Sequence, residues 1–283
     1  MLGKIARLFR SGVPEQALFH PSLQQIVDIV GNGVNETPDF GARMLPAIES
    51  AFAYFDRQIE PIPGPHPIST ELMHNGHLCA HLFPGPEDIV RAIGRSLAVK
   101  DTLPELMQSG QEEFHALLGM RQRPGQDSSV FTDHTLRSLA ATPEEVREQL
   151  KQAAFERLLK EFAEHINTLR RKERLLSIEW EWNQRHDTSR TLQNAERPEF
   201  VYAAEELTPQ KLQQGLIYRL NSPQPYLHIK GGHGHASIVH PSELPVLHSS
   251  DRRQWHVCLV TVSMQEAIKA QAKETHTHRY LFI

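Results

Sequence analysis

The sequence predicts a mainly α-helical fold: an N-terminal helical bundle with one very long helix, followed by a small α/β or α+β region. Apolar residues recur at steps of three and four over the first two-thirds of the chain. Between Pro143 and His186 there is no glycine or proline to end a helix. After residue 198 the apolar residues instead form short runs rich in β-branched and aromatic side chains, which are typical of strands.

Shorter helices are expected before the long one, because each periodic stretch is bounded by a recognisable start or stop signal. The first stretch ends at Gly31, and the second begins with Thr37 and Pro38, which suit the N-cap and the first helical position. Ser109 is a candidate N-cap for the last of them. The predicted short helices lie at 21–30, 38–55, 86–93 and 109–118.

The long helix is predicted from its first turn onward. Thr142 is a good N-cap, Pro143 suits the first position, and Glu145 completes a capping box with the threonine. Its apolar side chains then follow a heptad spacing, and we call them the seam. The seam residues are Phe155, Leu159, Phe162, Ile166, Leu169, Leu176 and Trp180, with Glu173 as the one charged interruption. Residues 178–182 also alternate as a strand would, but the seam continues through them, so a helix is the preferred interpretation. A stripe of this length must be buried within the chain or across a dimer, so the seam is the predicted interaction surface.

Three regions are predicted along the chain. Residues 1–186 form a helical domain that ends in the long helix of about 143–186, residues 187–198 form a polar linker, and residues 199–283 form a small α/β domain. In this last region we expect helices at 208–220 and 264–273. We expect its strands at 226–229, 237–239, 256–262 and 279–283.

Composition and charge restrict the class of protein. A formal net charge of −4 argues against a general nucleic-acid binder, which normally carries a basic surplus. Two cysteines suit a reducing compartment, and no stretch reaches the about 20 apolar residues that cross a bilayer. A cytoplasmic location is therefore expected. Residues 1–10 form a short basic amphipathic helix that either docks on its own domain or lies on an anionic membrane surface.

A cluster of histidines around a cysteine is the candidate metal site. Its residues are His74, His77, Cys79 and His81, which are ligand types for zinc and related transition metals. If 78–83 is a strand, three of the four share one face. The spacing lacks the usual paired-ligand patterns. Surface or core histidines are therefore the alternative interpretation.

A glycine-rich segment is the candidate phosphate-binding loop. Lys230, Gly231, Gly232 and Gly234 follow a predicted strand, and backbone N–H groups of such loops can hold phosphate. The dinucleotide and P-loop patterns are both incomplete, so a simple turn is the competing interpretation. Farther on, Cys258 stands between Val257 and Leu259, a setting typical of a buried, inert thiol.

These observations lead to three functional hypotheses. The first is a non-enzymatic interaction or assembly protein that needs no cofactor and binds a protein partner or a second copy of itself through the seam. The second is a histidine-rich metal-dependent hydrolase that uses the cluster around Cys79 with zinc or another transition metal. The third is a peripheral membrane protein recruited by residues 1–10. No Gly-x-Ser-x-Gly or His-Glu-x-x-His motif supports an enzyme.

Overall fold

The computed structural model describes residues 20–31, 33–74, 78–122, 130–186, 199–231, 243–249 and 253–277. Its helices are α1 (Pro21–Val30), α2 (Phe40–Ile59), α3 (Leu78–Leu82), α4 (Pro86–Arg95), α5 (Leu97–Gln108), α6 (Pro143–His186), α7 (Glu199–Glu206), α8 (Pro209–Asn221) and α9 (Met264–Thr277). A 3-10 turn spans Glu71–His74. Its strands are β1 (His66–Pro67), β2 (Glu113–Gln122), β3 (Phe131–Ala140), β4 (Leu227–Lys230), β5 (Val246–Ser249) and β6 (Gln254–Ser263).

Contacts divide the chain into two compact units, each made of two separate stretches. The helical unit comprises Met1–Tyr54 and Phe155–Pro223, and the sheet unit comprises Phe55–Ala154 and Gln224–Ile283. The division falls inside α2 and inside α6, so residues of each of these helices belong to both units.

The helical unit buries apolar faces of α1, α2, α6 and α8. Phe155 of α6 packs on Phe52 of α2, with ring centroids 4.9 Å apart. Phe162 of α6 lies against α8, where a Cβ added at Gly215 would meet its ring at 3.4 Å. The apolar periodicity of α8 therefore matches its buried residues Leu212, Leu216 and Leu220.

The sheet unit is organised around β6. The strand order is β3-β2-β6-β5-β4, with antiparallel pairing along this path, and β1 pairs with β6 in parallel. The β2–β6 ladder runs from Glu113 opposite Ser263 to Met120 opposite His256. Helices α4, α5 and α9 pack together with this sheet, and one contiguous core joins them.

Two irregularities shape the edge strand β3. The β2–β3 register shifts twice, between His115 and Leu117 and again between Gly119 and Arg121. At the corresponding places in β3, Ser138 and Asp133 both have a φ of 54°. These are β-bulges whose extra residue adopts the left-handed region, which increases the local twist of an edge strand.

The predicted N-terminal helical bundle is wrong, and so is the confinement of strands to the C-terminal region. Residues 113–122 and 131–140 are β2 and β3, and they belong to the same sheet as β4, β5 and β6. The expected helix at 109–118 fails because β2 is a central strand buried on both faces, so its sequence lacks the alternation of a half-exposed strand. The very long helix is confirmed, but it lies in the middle of the chain rather than in an N-terminal bundle.

Several later elements agree with their sequence predictions. The predicted helices at 208–220 and 264–273 are α8 and α9, and the predicted strand at 256–262 is part of β6. The predicted linker at 187–198 lies outside the described residues, as do the predicted strands at 237–239 and 279–283.

Candidate interaction surface on the long helix

Helix α6 begins with the predicted capping box. The Thr142 hydroxyl accepts a hydrogen bond from the Glu145 backbone N–H at 3.2 Å, and the Glu145 carboxylate accepts one from the Thr142 N–H at 3.3 Å. Two orphan backbone donors are satisfied in this way, so the start of the helix is well defined. Ion pairs at i, i+4 spacing, such as Arg157 with Glu161 at 2.7 Å, follow on its exposed side.

The first half of the seam is buried inside the helical unit. Its members Phe155, Leu159, Phe162 and Ile166 are almost completely excluded from solvent. The Arg219 guanidinium of α8 also lies over the Phe162 ring, 5.2 Å from its centroid. The chain itself therefore supplies the partner for the seam as far as Ile166.

The second half of the seam is only partly covered. Leu169 and Leu176 are half-buried, and Trp180 is 40% exposed to solvent. The spacing continues to Trp180, with Glu173 as its one charged interruption, while the burial declines. The described chain therefore covers this side of α6 only partly after Ile166.

Sequence reasoning missed a second apolar stripe on the same half of α6. Leu175, Ile178 and Trp182 are 68%, 55% and 60% exposed. Their spacing of three and four residues puts them on one side of the helix, and at about 100° per residue that side is roughly opposite the seam. The spacing was visible in the sequence.

The predicted metal cluster does not have the strand geometry on which its shared face depended. Residues 78–82 form the helix α3, on which Cys79 and His81 point to different sides: Cys79 is buried and His81 is exposed. The Cys79 thiol lies 3.7 Å from the Ser69 carbonyl oxygen, and burial raises the pKa of that thiol. The side chain of His74 and the whole of His77 lie outside the described residues, so a metal at this cluster stays a prediction.

The predicted phosphate loop is only partly described. Lys230 ends β4, and Gly231 follows with a φ of 75°, a value that favours glycine. Gly232 and Gly234 lie outside the described residues, so phosphate binding here is untested. On the neighbouring strands His228 faces His248, with ring centroids 6.1 Å apart. Partial burial and then the charge of Lys230 lower the pKa of His248.

The second cysteine has the inert setting that its neighbours indicated. Cys258 is fully buried in the sheet-unit core, and burial raises its pKa to about 12. Nearby His256 tilts against Phe131 at 5.2 Å, and burial lowers the pKa of this histidine. A neutral thiol beside a neutral imidazole is not an activated nucleophile.

Two further properties of the described residues bear on the remaining hypotheses. Across the described residues, no group of three or more histidine, cysteine, aspartate or glutamate side chains is placed to hold a metal ion. Nor is any described helix long and apolar enough to cross a membrane. Residues 1–10, the proposed membrane-binding segment, lie outside the description.

Comparison with known proteins gives no relative: no family, no curated protein and no solved structure matches this chain.

Proposed function

We propose that this chain is a non-enzymatic interaction or assembly protein, and that its binding surface is the second half of α6, residues 167–182. The observation that carries the proposal is the combination of Leu175, Ile178 and Trp182 on one exposed side of a single helix. Scattered exposed apolar residues need no explanation, but three at helical spacing form a continuous patch. Such a patch is typical of helix-mediated recognition.

The energetics of this surface favour binding. Fully burying an exposed leucine or isoleucine side chain contributes about 1.5–3 kcal/mol in transfer free energy. Leu175 and Ile178 are 68% and 55% exposed, so a partner that covers them gains the corresponding part of that free energy. Tryptophan and arginine are also the residue types that dominate binding energy at protein interfaces. Trp182 and Arg171 both lie on this side of α6 and are exposed. A partner that covers the patch therefore gains from both apolar burial and aromatic contacts.

The packed part of α6 prepares the exposed part for binding. An isolated helix of about 16 residues is marginal in water because its first turn is costly to form. Residues 167–182 continue a helix of 44 residues whose earlier turns are held by buried seam residues. Little backbone entropy is then lost when a partner binds, which improves affinity.

A cytoplasmic location is part of this proposal. Cys79 and Cys258 are both free thiols buried in the core. Unpaired core cysteines fit a reducing compartment.

Site-specific photo-crosslinking tests the proposed surface in cells that make the protein. A benzophenone amino acid replaces Ile178 in one variant and the exposed Glu164, about four turns earlier, in a control variant. We expect one discrete protein adduct from position 178 and none from position 164. The adduct should disappear when Leu175→Asp is added, because the charge disrupts the apolar patch. Equal labelling from both positions, or no adduct at 178, refutes the proposal.

A further inference from the structure

Three basic side chains in the second half of α6 have no acidic partner on their own helix. Arg171, Lys172 and Arg174 are all exposed, and within the described part of the chain no ion pair involves them. We call these three residues the basic patch. No acidic residue stands three or four positions away from any of them, and these are the spacings at which side chains meet on a helix surface.

Earlier on the same helix, basic side chains are neutralised within the chain. Arg157 pairs with Glu161, and Lys160 pairs with Glu156, both at i, i+4 spacing. The exposed side of α6 therefore changes from internally paired charges to an uncompensated positive charge. Residues 170–185 contain five basic and three acidic residues, in a chain whose formal net charge is −4.

The basic patch surrounds two of the exposed apolar residues. At about 100° per residue, Arg171 falls within about 60° of Leu175 and Ile178, so the three lie on one side of α6. Arg174 and Lys172 fall on the two flanks of that side. From residue 171 to residue 178 the helix rises about 11 Å. A short ligand segment can therefore contact the apolar residues and the basic patch at the same time.

We infer that this surface binds an acidic segment of another protein. Apolar side chains of that segment cover Leu175 and Ile178, and its carboxylates contact the basic patch. Guanidinium–carboxylate hydrogen bonds are directional, so Arg171 and Arg174 also orient the partner. The inference rests on the proposed function, because it names the chemistry of the partner that covers the surface proposed above.

The charge pattern disfavours the other partners that could cover this surface. A second copy of the same surface is also net basic, so the two copies would repel each other. A membrane or a nucleic acid carries negative charge over a larger area, and that charge would also lie against the exposed Glu179 beside Ile178. A protein segment can place its carboxylates opposite residues 171–174 alone.

Photo-crosslinking with charge variants tests the partner's chemistry in cells that make the full-length chain. The benzophenone amino acid stands at position 178. Two double variants are compared: Arg171→Glu with Arg174→Glu, and the matched Arg171→Lys with Arg174→Lys. Charge reversal should lower the adduct yield about tenfold, because attractive contacts become repulsive. The lysine variant keeps both charges and should retain most of the yield.

Mass spectrometry of the adduct then locates the crosslinked residue, and the partner sequence around it should contain more acidic than basic residues. Far-UV circular dichroism of the purified variants checks that each keeps its helical content. Equal yields from the two double variants, or a crosslink to a segment that is not acidic, overturn the inference and leave the interaction surface standing. An adduct with a second copy of this chain, with lipid or with nucleic acid overturns it too. No adduct from position 178 refutes the proposed function itself, so the two failures are distinguishable.

Discussion

Two leucine-to-alanine substitutions in α6 provide a matched test of where the helix is packed. Leu159 belongs to the buried half of the seam and is completely excluded from solvent. Leu159→Ala should lower the free energy of unfolding by about 2–5 kcal/mol, from lost transfer energy and the remaining cavity. Leu175 keeps 68% of its exposure, so about a third of its surface is covered. Its truncation should cost at most about 0.5–1 kcal/mol, and the higher helix propensity of alanine offsets part of that cost.

Urea unfolding followed by far-UV circular dichroism measures both variants at low protein concentration, where self-association does not contribute. The expected result is a large shift of the unfolding midpoint for Leu159→Ala and almost none for Leu175→Ala. Because residue type, helix and substitution are the same, only the environment differs. If Leu175→Ala destabilises the protein as much as Leu159→Ala, residues 167–182 are packed within the chain and the proposed surface is wrong.

Three further predictions concern the sheet unit. Ser138→Gly should raise the free energy of unfolding by about 1 kcal/mol, because the φ of 54° is unfavourable for serine; a lower urea midpoint would contradict this. Burial lowers the pKa of His134 below 6.5, and its Nε2–H donates to the Leu82 carbonyl oxygen at 2.7 Å. The unfolded state therefore takes up this proton first as the pH falls below 6.5, and stability should decrease by up to about 1.4 kcal/mol per pH unit. His134→Gln keeps a donor and should reduce that slope in urea titrations at a series of pH values; an unchanged slope would exclude the assignment. Finally, the thiols of Cys79 and Cys258 are buried, with raised pKa values. Neither should react with a disulfide reagent until the protein unfolds, and rapid labelling of the folded protein would show that the core is open.

The long helix could be predicted because its information is local. A capping box defines its start, and the absence of glycine and proline over the following turns leaves nothing to end it. The same locality explains the success with α8, α9 and β6. Each is bounded by its own start or stop residues or by a dense run of β-branched side chains.

The strands β2 and β3 could not be predicted because their sequences reflect the sheet around them. In β2, residues 116–120 are all buried, because a strand pairs with each edge of β2 and both of its faces are covered. A run of this kind cannot be distinguished from a buried helix by periodicity. In β3 the two bulges at Asp133 and Ser138 interrupt the alternation that a regular strand shows.

The candidate metal cluster shows that the prediction of a site also depends on the conformation of the backbone around it. The side chains had suitable chemistry, but a shared face required residues 78–83 to be a strand. In α3, consecutive residues are separated by about 100°, so Cys79 and His81 diverge. Cys79 instead joins the core, near the Ser69 carbonyl oxygen. Ligand types close together in sequence therefore indicate a site only once the backbone that carries them is known.

The seam by itself is weak evidence for a partner. Its apolar periodicity requires that this side of α6 be buried, but it does not say which surface buries it. As far as Ile166 that requirement is met inside the helical unit, and a dimer would be an unnecessary explanation for those residues. The exposed apolar residues Leu175, Ile178 and Trp182 are stronger evidence. They lie on the side of α6 opposite the seam, so a helix that packs against the seam leaves them exposed. A helix that bears apolar residues on two opposite sides needs two partners to bury both. The described chain buries the seam side as far as Ile166, and the opposite side is the surface that we propose for a partner.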